Sequence, residues 1–154
     1  MQQPHRLRLT VAPGLPAVGE AVAEAGRFLH SLGAPGRAVY AAELVLEELM
    51  TNAVKYGGEA ALAVPLELDL VLDPEDEPDA LVITLADRGE PFDPTGAADP
   101  VLGRSLEETL PGGLGLYMVR TMTSSLAYRR EPGRNVIRAV IPLHPGGPGS
   151  GVLP

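Results

Sequence analysis

Cysteine and tryptophan are absent from this chain of 154 residues, and other aromatic residues are few, with two Phe and four Tyr. Without cysteine the chain can form neither disulfides nor a thiolate metal site, which suits a reducing compartment, and we expect a cytoplasmic protein. With so few aromatic rings, stacking platforms for single-stranded nucleic acid are not expected. The core must instead be built mainly from Leu, Val, Ala and Ile.

The chain also lacks an excess of positive charge and any long apolar run. Its 12 basic residues against 20 acidic ones give a formal net charge of −8. A general nucleic-acid binder needs a basic face to neutralise phosphates, so we do not expect one here. No stretch approaches the roughly 20 apolar residues of a membrane span, and the N-terminus lacks the apolar core of a signal peptide.

What is present fits one globular domain with a substantial core and no internal repeat. We expect this domain to cover residues 1–143. A flexible tail should follow at 144–154, where seven of the eleven residues are Gly or Pro.

Hydrophobic periodicity predicts the order β-α-α-β-β-loop-α-β. The predicted strands are 5–11, 62–72, 80–87 and 136–143, and the predicted helices are 16–32, 37–56 and 114–127. The segment "YRREPGRN" (128–135) is predicted to turn back between the last helix and the last strand. The acidic turn between the second and third strands indicates an antiparallel hairpin. This order predicts an α+β fold: a two-layer α/β sandwich with a mixed, mostly antiparallel sheet and helices on one face. The long loop at 88–113 is typical of a functional lid, and we expect its residues 93–112 to become less sensitive to proteases when ATP binds.

Three polar residues of the second predicted helix, Glu48, Asn52 and Lys55, fall on one stripe of its surface. The stripe borders the predicted core face, which consists of Val45, Leu46, Leu49, Ala53 and Tyr56. Asparagine disfavours helix interiors, so we expect Asn52 to be there for its side chain. A carboxylate, an amide oxygen and an ammonium suit a site for phosphate and Mg²⁺. The alternative is a solvated edge, with Glu48 weakly paired to Lys55.

Two further segments have the chemistry of a nucleotide site. Asp87 ends its predicted strand and is placed to accept a hydrogen bond from an exocyclic amine, and Gly89 lets the backbone turn or approach a ligand. Gly113 and Gly115 begin a helix, where free N–H groups favour phosphate. Each segment alone is also typical of an ordinary turn or hinge. Their order along the chain, together with the polar stripe, favours a nucleotide site.

The segments "EELMTNAVKYG", "DRGEPFDP" and "GGLGLYMV" resemble the N, G1 and G2 boxes of the GHKL ATPase superfamily, which holds ATP in the Bergerat fold. The resemblance covers residues 5–143. Within the superfamily the sequence is most similar to the anti-sigma-factor serine/threonine kinases of the RsbW and SpoIIAB type, above all over residues 113–143. It implies ATP and Mg²⁺ as cofactors.

The resemblance also implies a role for each matching residue. Glu48 would be the general base that takes the proton from a substrate serine, and Asn52 would bind Mg²⁺. Asp87 would receive the adenine amino group with Gly89 beside it, and Lys55 would lie near the phosphates. The phosphates would also contact the segment made of Gly113, Leu114, Gly115 and Leu116.

The sequence departs from the family in the last strand, where a Thr often lies near the adenine. Here the neighbourhood reads Val136, Ile137 and Arg138. The corresponding contact is therefore either absent or supplied by another residue.

The resemblance implies an ATP-dependent protein serine/threonine kinase that acts as an anti-sigma factor or a similar partner-switching regulator. Its partners would be a STAS-domain anti-anti-sigma protein, which it phosphorylates, and a sigma factor or analogous regulator; a homodimer would also fit the family. One alternative is a non-catalytic protein-binding module gated by ATP, against which Glu48 argues. Another is a detached catalytic domain of the histidine-kinase type, because "NAVKYG" also resembles that N box.

Overall fold

A five-stranded sheet and four helices form the part of the chain that the computed structural model describes, residues 3–96 and 113–144. The strands are β1 (His5–Val11), β2 (Leu66–Leu72), β3 (Ala80–Asp87), β4 (Ser125–Glu131) and β5 (Arg134–Pro142). The helices are α1 (Leu15–Ser31), α2 (Gly36–Tyr56), α3 (Gly58–Ala63) and α4 (Gly113–Met122), with a 3₁₀ turn at Pro94–Gly96. Most of the predicted lid and the tail beyond residue 144 lie outside the described residues.

The strand order is β1-β2-β3-β5-β4, and every pairing between neighbouring strands of the described sheet is antiparallel. The predicted β2–β3 hairpin is confirmed, with Leu70 opposite Ile83. β3 lies at the centre, as its more continuous apolar sequence indicated. In the β3–β5 register Asp87 faces Asn135, which brings two polar side chains together at one end of the central strands.

The helices pack on one face of the sheet, as predicted for a two-layer α+β sandwich. Alternate residues of the strands, such as Leu68, Leu85 and Ala139, are buried against residues of the first two helices, such as Leu29 and Leu46. The opposite face carries charged side chains joined by ion pairs, for example Arg6 with Asp69 at 2.6 Å. Period-two alternation in the strands therefore separates a dry layer from a polar surface.

Two elements differ from the sequence prediction. The strand predicted over 62–72 begins only at Leu66, because residues 62 and 63 belong to the short helix α3 and residues 64 and 65 connect it to the strand. The helix predicted over 114–127 ends at Met122, and the segment read as its last turn and the following turn forms β4. The sheet therefore gains a fifth strand at its edge.

Candidate functional site

The polar stripe of α2 is arranged so that Asn52 points into the protein. Asn52 is 6% exposed, Glu48 is half-buried and Lys55 is exposed. The predicted core face is confirmed at Val45, Leu46, Leu49 and Ala53, which are all buried. Tyr56 is an exception: it is exposed and stacks on Phe92, with ring centroids 5.9 Å apart. The solvated-edge interpretation is therefore wrong for Asn52.

Asn52 has an unused hydrogen-bonding group. Within the described residues its Nδ2 is the buried side-chain nitrogen or oxygen that lacks any partner. A buried amide left unpaired costs about 1–3 kcal/mol, so an unpaired group in a folded protein calls for an explanation. An amide held ready for a bound ligand is such an explanation.

A small pocket opens beside this amide, with a cavity volume of about 10 Å³. Its polar lining comes from three different elements and its apolar lining from the core side of α2, α4 and β5. The lining residues include Leu49, Asn52, Asp87, Phe92, Leu116, Asn135 and Ile137. Apolar walls with a few convergent polar groups are typical of a small-molecule site.

Asp87 lies at the floor of this pocket, where β3 ends, and is 6% exposed. Its Oδ1 accepts hydrogen bonds from the Gly89 backbone N–H at 2.8 Å and from Asn135 Nδ2 at 3.0 Å. In the part of the chain that the structure describes, its Oδ2 accepts none. One oxygen of the carboxylate is thus fixed in place, and the other remains an acceptor for a ligand.

Sequence reasoning missed Asn135, which it assigned to a turn. The side chain is 2% exposed, and its position at the start of β5, opposite Asp87, makes it part of the pocket floor. A polar residue directly before the apolar run "VIRAVIPL" was the available signal. The last strand thus supplies a polar group near the predicted base site after all, from a position just before the three residues considered.

Two glycines hold the C-terminus of α2 against the end of β3. A Cβ added to Gly89 would lie 2.8 Å from the Gly57 Cα and 3.0 Å from the Gly57 carbonyl oxygen. The Glu90 N–H donates to that same carbonyl at 2.9 Å. The two backbones touch directly, and this contact brings Asn52 and Asp87 to one pocket.

Glu48 lies one helical turn before Asn52, next to the N-terminal part of α4. Burial raises the pKa of the Glu48 carboxyl above its usual value, the charge of Glu47 raises this pKa further, and Lys55 lowers it in part. A Cβ on Gly115 would overlap the Glu48 carboxylate, so the absence of a side chain there makes room for it. A half-buried carboxylate of raised pKa is suited to general-base chemistry.

The remaining predicted residues divide into two groups. Leu116 is buried and lines the pocket, and Gly113 begins α4, where Leu114 follows it. Lys55 and Gly89 do not line the pocket, as far as the described residues go: Lys55 acts on Glu48 through its charge, and Gly89 supports Asp87 from behind. The structure therefore brings the three predicted boxes to one place.

The donor set fits a magnesium nucleotide better than a metal held by protein alone. The described residues contain no group of three or more His, Cys, Asp or Glu side chains able to hold a metal ion. Mg²⁺ often takes one or two protein ligands and completes its shell with water and phosphate oxygens. The amide oxygen of Asn52 is the kind of ligand that Mg²⁺ takes, whereas its unpaired Nδ2 is a hydrogen-bond donor.

The sequence also matches a known family. Residues 12–141 match the family model described as Histidine kinase-like ATPase domain. Since this match covers most of the 154 residues, the chain belongs to the family of histidine kinase-like ATPase domains. Membership of this family implies ATP binding.

Three known proteins are also similar to this chain. A segment of 51 residues is 45% identical to the serine/threonine-protein kinase BtrW of Bordetella bronchiseptica, and covers 33% of this chain and 36% of BtrW. The fold is similar to the RsbU and RsbW domains of Rv1364c from Mycobacterium tuberculosis, with a TM-score of 0.65 and 15% identity over 90% of this chain and 32% of that one. It is also similar to a chain of the SiaB–SiaC complex from Pseudomonas aeruginosa, with a TM-score of 0.61, 19% identity and 88% of both chains covered.

The family match confirms the GHKL-type ATPase assignment that the sequence motifs indicated, and the solved structures confirm the fold. The matched part spans about a third of BtrW and of the mycobacterial chain. In the described residues, no helix is both long and apolar enough to cross a membrane.

Proposed function

We propose that this protein is an ATP-dependent serine/threonine kinase that works as an anti-sigma factor or a similar partner-switching regulator. Its substrate is a STAS-type antagonist, and its second partner is a sigma factor or an analogous regulator. The partial similarity to BtrW, a serine/threonine-protein kinase, supports this proposal. The single observation that carries it is the position of Glu48, since a module that only binds ATP has no need of a half-buried carboxylate of raised pKa there.

The chain's residues have separate tasks in this proposal. Asp87 accepts a hydrogen bond from the adenine amino group, and the N-terminal turn of α4 around Gly115 faces the phosphates. Asn52 holds Mg²⁺, which when bound neutralises phosphate charge. Glu48 accepts the proton of the substrate hydroxyl as that oxygen attacks the γ-phosphorus, while the bond from the γ-phosphorus to the β-phosphate oxygen breaks and ADP leaves. Phosphoryl transfer depends mainly on positioning and charge neutralisation, which this set of groups provides.

A phosphorylation assay tests the proposal. The protein is mixed with ATP labelled on the γ-phosphate, Mg²⁺ and the STAS-domain proteins of its own genome, and the product is examined for acid-stable phosphoserine or phosphothreonine. We expect Glu48→Gln to lose transfer while its affinity for ATP stays within about twofold. The matched control is Glu47→Gln, which removes the exposed neighbouring carboxylate and should keep transfer.

Three outcomes would contradict the proposal. ATP binding without any phosphorylated partner would favour the non-catalytic module. Acid-labile phosphohistidine would favour the histidine-kinase type. Normal transfer by Glu48→Gln would remove the assignment of the base.

A further inference from the structure

We propose that Asn135 is a positioning residue that sets base selectivity by fixing the orientation of the Asp87 carboxylate. This inference rests on the proposed nucleotide site and adds to it a residue from the last strand. It assigns to Asn135 no contact with the nucleotide.

The orientation of the Asn135 amide follows from its neighbours. Arg130 Nη1 lies 3.2 Å from Asn135 Oδ1, and the Tyr128 hydroxyl lies 2.7 Å from the same oxygen. A guanidinium can only donate hydrogen bonds, so the end of the amide that faces Arg130 must be the oxygen. The NH₂ end therefore faces Asp87.

Both hydrogens of that NH₂ group are used. Asn135 Nδ2 donates to Asp87 Oδ1 at 3.0 Å and to the Glu90 carbonyl oxygen at 2.9 Å. Its Oδ1 accepts from Tyr128, from Arg130 and, at 3.4 Å, from the Phe92 N–H. The amide has no donor left for a base, so it acts on a ligand only through Asp87.

Asp87 is thereby held with one defined face toward the pocket. Its Oδ1 is occupied by the Gly89 N–H and by Asn135, which leaves Oδ2 as a pure acceptor. An acceptor in this position pairs with a 6-amino purine and opposes a 6-oxo purine, whose own group there is an acceptor. If the carboxylate were free to rotate, a water molecule or a displaced carboxylate oxygen would reduce the difference in affinity between 6-amino and 6-oxo purines.

The β4–β5 hairpin is the support for this arrangement. Arg130 Nη1 also donates to the Gly89 carbonyl oxygen at 2.7 Å. One side chain of β4 thus holds both the amide of Asn135 and the backbone just after Asp87. The β4–β5 hairpin therefore holds the end of β3 at two points, the Asp87 side chain and the Gly89 backbone.

The test compares dissociation constants for ATP and for inosine triphosphate, which carries an oxo group in place of the 6-amino group. For the wild-type protein we expect a preference for ATP of about 10- to 100-fold, since hydrogen bonds to charged groups contribute about 1.5–3 kcal/mol. Asn135→Ala should reduce this ratio at least about fivefold and change the affinity for inosine triphosphate by less than about twofold. A merely structural role would weaken both nucleotides equally.

Two further variants keep the test decisive. Tyr128→Phe removes only a hydroxyl at the edge of the network, so it should fold and lower the ratio by a smaller factor. Arg138→Ala, on the opposite face of the sheet, should leave the ratio unchanged. An unchanged ratio in both Asn135→Ala and Tyr128→Phe overturns the inference while the proposed function stands. Failure of the wild-type protein to bind ATP overturns the proposed function and, with it, the inference.

Discussion

Among single side chains, Glu48 shows a conflict between its proposed role as a proton acceptor and the stability of the fold. Its carboxylate is half-buried, and this burial raises its pKa, as does the nearby charge of Glu47. An ionised group of raised pKa is less stable in the folded protein than in the unfolded chain. The feature that suits Glu48 to accept a proton therefore costs the fold stability at neutral pH.

The pH dependence of Glu48→Gln follows from this sign. The stabilising effect of a proton on Glu48 is fully present below the unfolded pKa and is lost as the pH rises through the raised folded pKa. We expect Glu48→Gln to unfold at a higher temperature than the wild-type protein at pH 7, with the difference disappearing toward pH 4. Thermal unfolding monitored by circular dichroism across this range checks it. A difference that grows on acidification would contradict the raised pKa.

The rate of phosphoryl transfer should also depend on the ionisation of Glu48. Protonation of Glu48 stabilises the fold, but it should lower this rate. Glu48 can accept a proton only when it is ionised, so the rate should rise with pH through its raised pKa and then level off. The rate of phosphorylation at saturating ATP, measured over the acid range, shows where this rise occurs. A rate already at its plateau at the pH where an ordinary Glu titrates would count against Glu48 as the base.

Asp87→Asn should change base preference rather than merely weaken binding. Gly89 and Asn135 both donate to Oδ1, so an asparagine here keeps its oxygen toward them and turns its NH₂ toward the pocket. We expect ATP to bind about 10- to 100-fold more weakly, while inosine triphosphate binds as well as before or better. Competition binding of the two nucleotides measures this. Equal weakening of both would show that Asp87 does not face the base.

At the scale of helices and strands, the position of α2 relative to β3 depends on one backbone contact. This contact joins Gly57 at the end of α2 to Gly89 after β3. A Cβ on Gly57 would overlap Ala61 of α3 and lie 2.6 Å from the Ala53 carbonyl oxygen. We expect Gly57→Ala to lower the free energy of unfolding by about 1–3 kcal/mol, as overpacking generally does. It should also weaken ATP binding, because α2 and β3 would move apart.

Urea denaturation with ATP titration on the same samples tests this expectation. The matched control is Gly36→Ala at the other end of α2, where an added Cβ would have nothing within 4 Å. This control should leave both quantities nearly unchanged. If Gly57→Ala has the same free energy of unfolding as the control, the contact between α2 and the end of β3 can accommodate the added Cβ without destabilising the protein.

The predictions from sequence succeeded where periodicity was long and failed where elements were short. Helices α1 and α2 were predicted to within one residue at each end because their apolar stripes span several turns. The short helix α3 was missed because the Gly57–Gly58 pair is typical of a helix end. Strand β4 was missed although Leu126 and Tyr128 alternate with exposed neighbours, since the charged "YRRE" segment suggested a turn.

The candidate site divides in the same way. Glu48, Asn52 and Asp87 could be predicted because each belongs to a motif with a recognisable chemistry. Asn135 could not, because its importance comes from strand register, and a register between distant strands is not written in any local pattern. The contact between two glycine backbones was equally invisible, since it is set by how α2 meets β3.

For the molecule as a whole, we expect the polar groups of the pocket to lower the stability of the nucleotide-free protein and to be used when the nucleotide binds. The Asn52 side chain, whose Nδ2 has no partner within the described residues, lies where the apolar core borders the polar floor of the pocket. We expect Asn52→Leu to raise the stability of the nucleotide-free protein by about 1–3 kcal/mol, because it removes an unsatisfied polar group at similar volume. The same variant should bind Mg·ATP much more weakly.

Thermal unfolding with and without Mg·ATP measures both effects together. A ligand at a hundred times its dissociation constant adds about 2.7 kcal/mol, which for a chain of this size corresponds to roughly 5–10 °C in Tm. The wild-type protein should show this rise and Asn52→Leu should not. A full rise in Asn52→Leu would remove Asn52 from the metal site.

The touching backbones of Gly57 and Gly89 have a further consequence for anyone who wishes to redesign this protein. Because neither partner has a side chain, no choice of amino acid can loosen or tighten the joint gradually; every replacement only adds bulk. A new ligand preference would therefore have to be engineered into the walls of the pocket, while the two glycine backbones stay as they are.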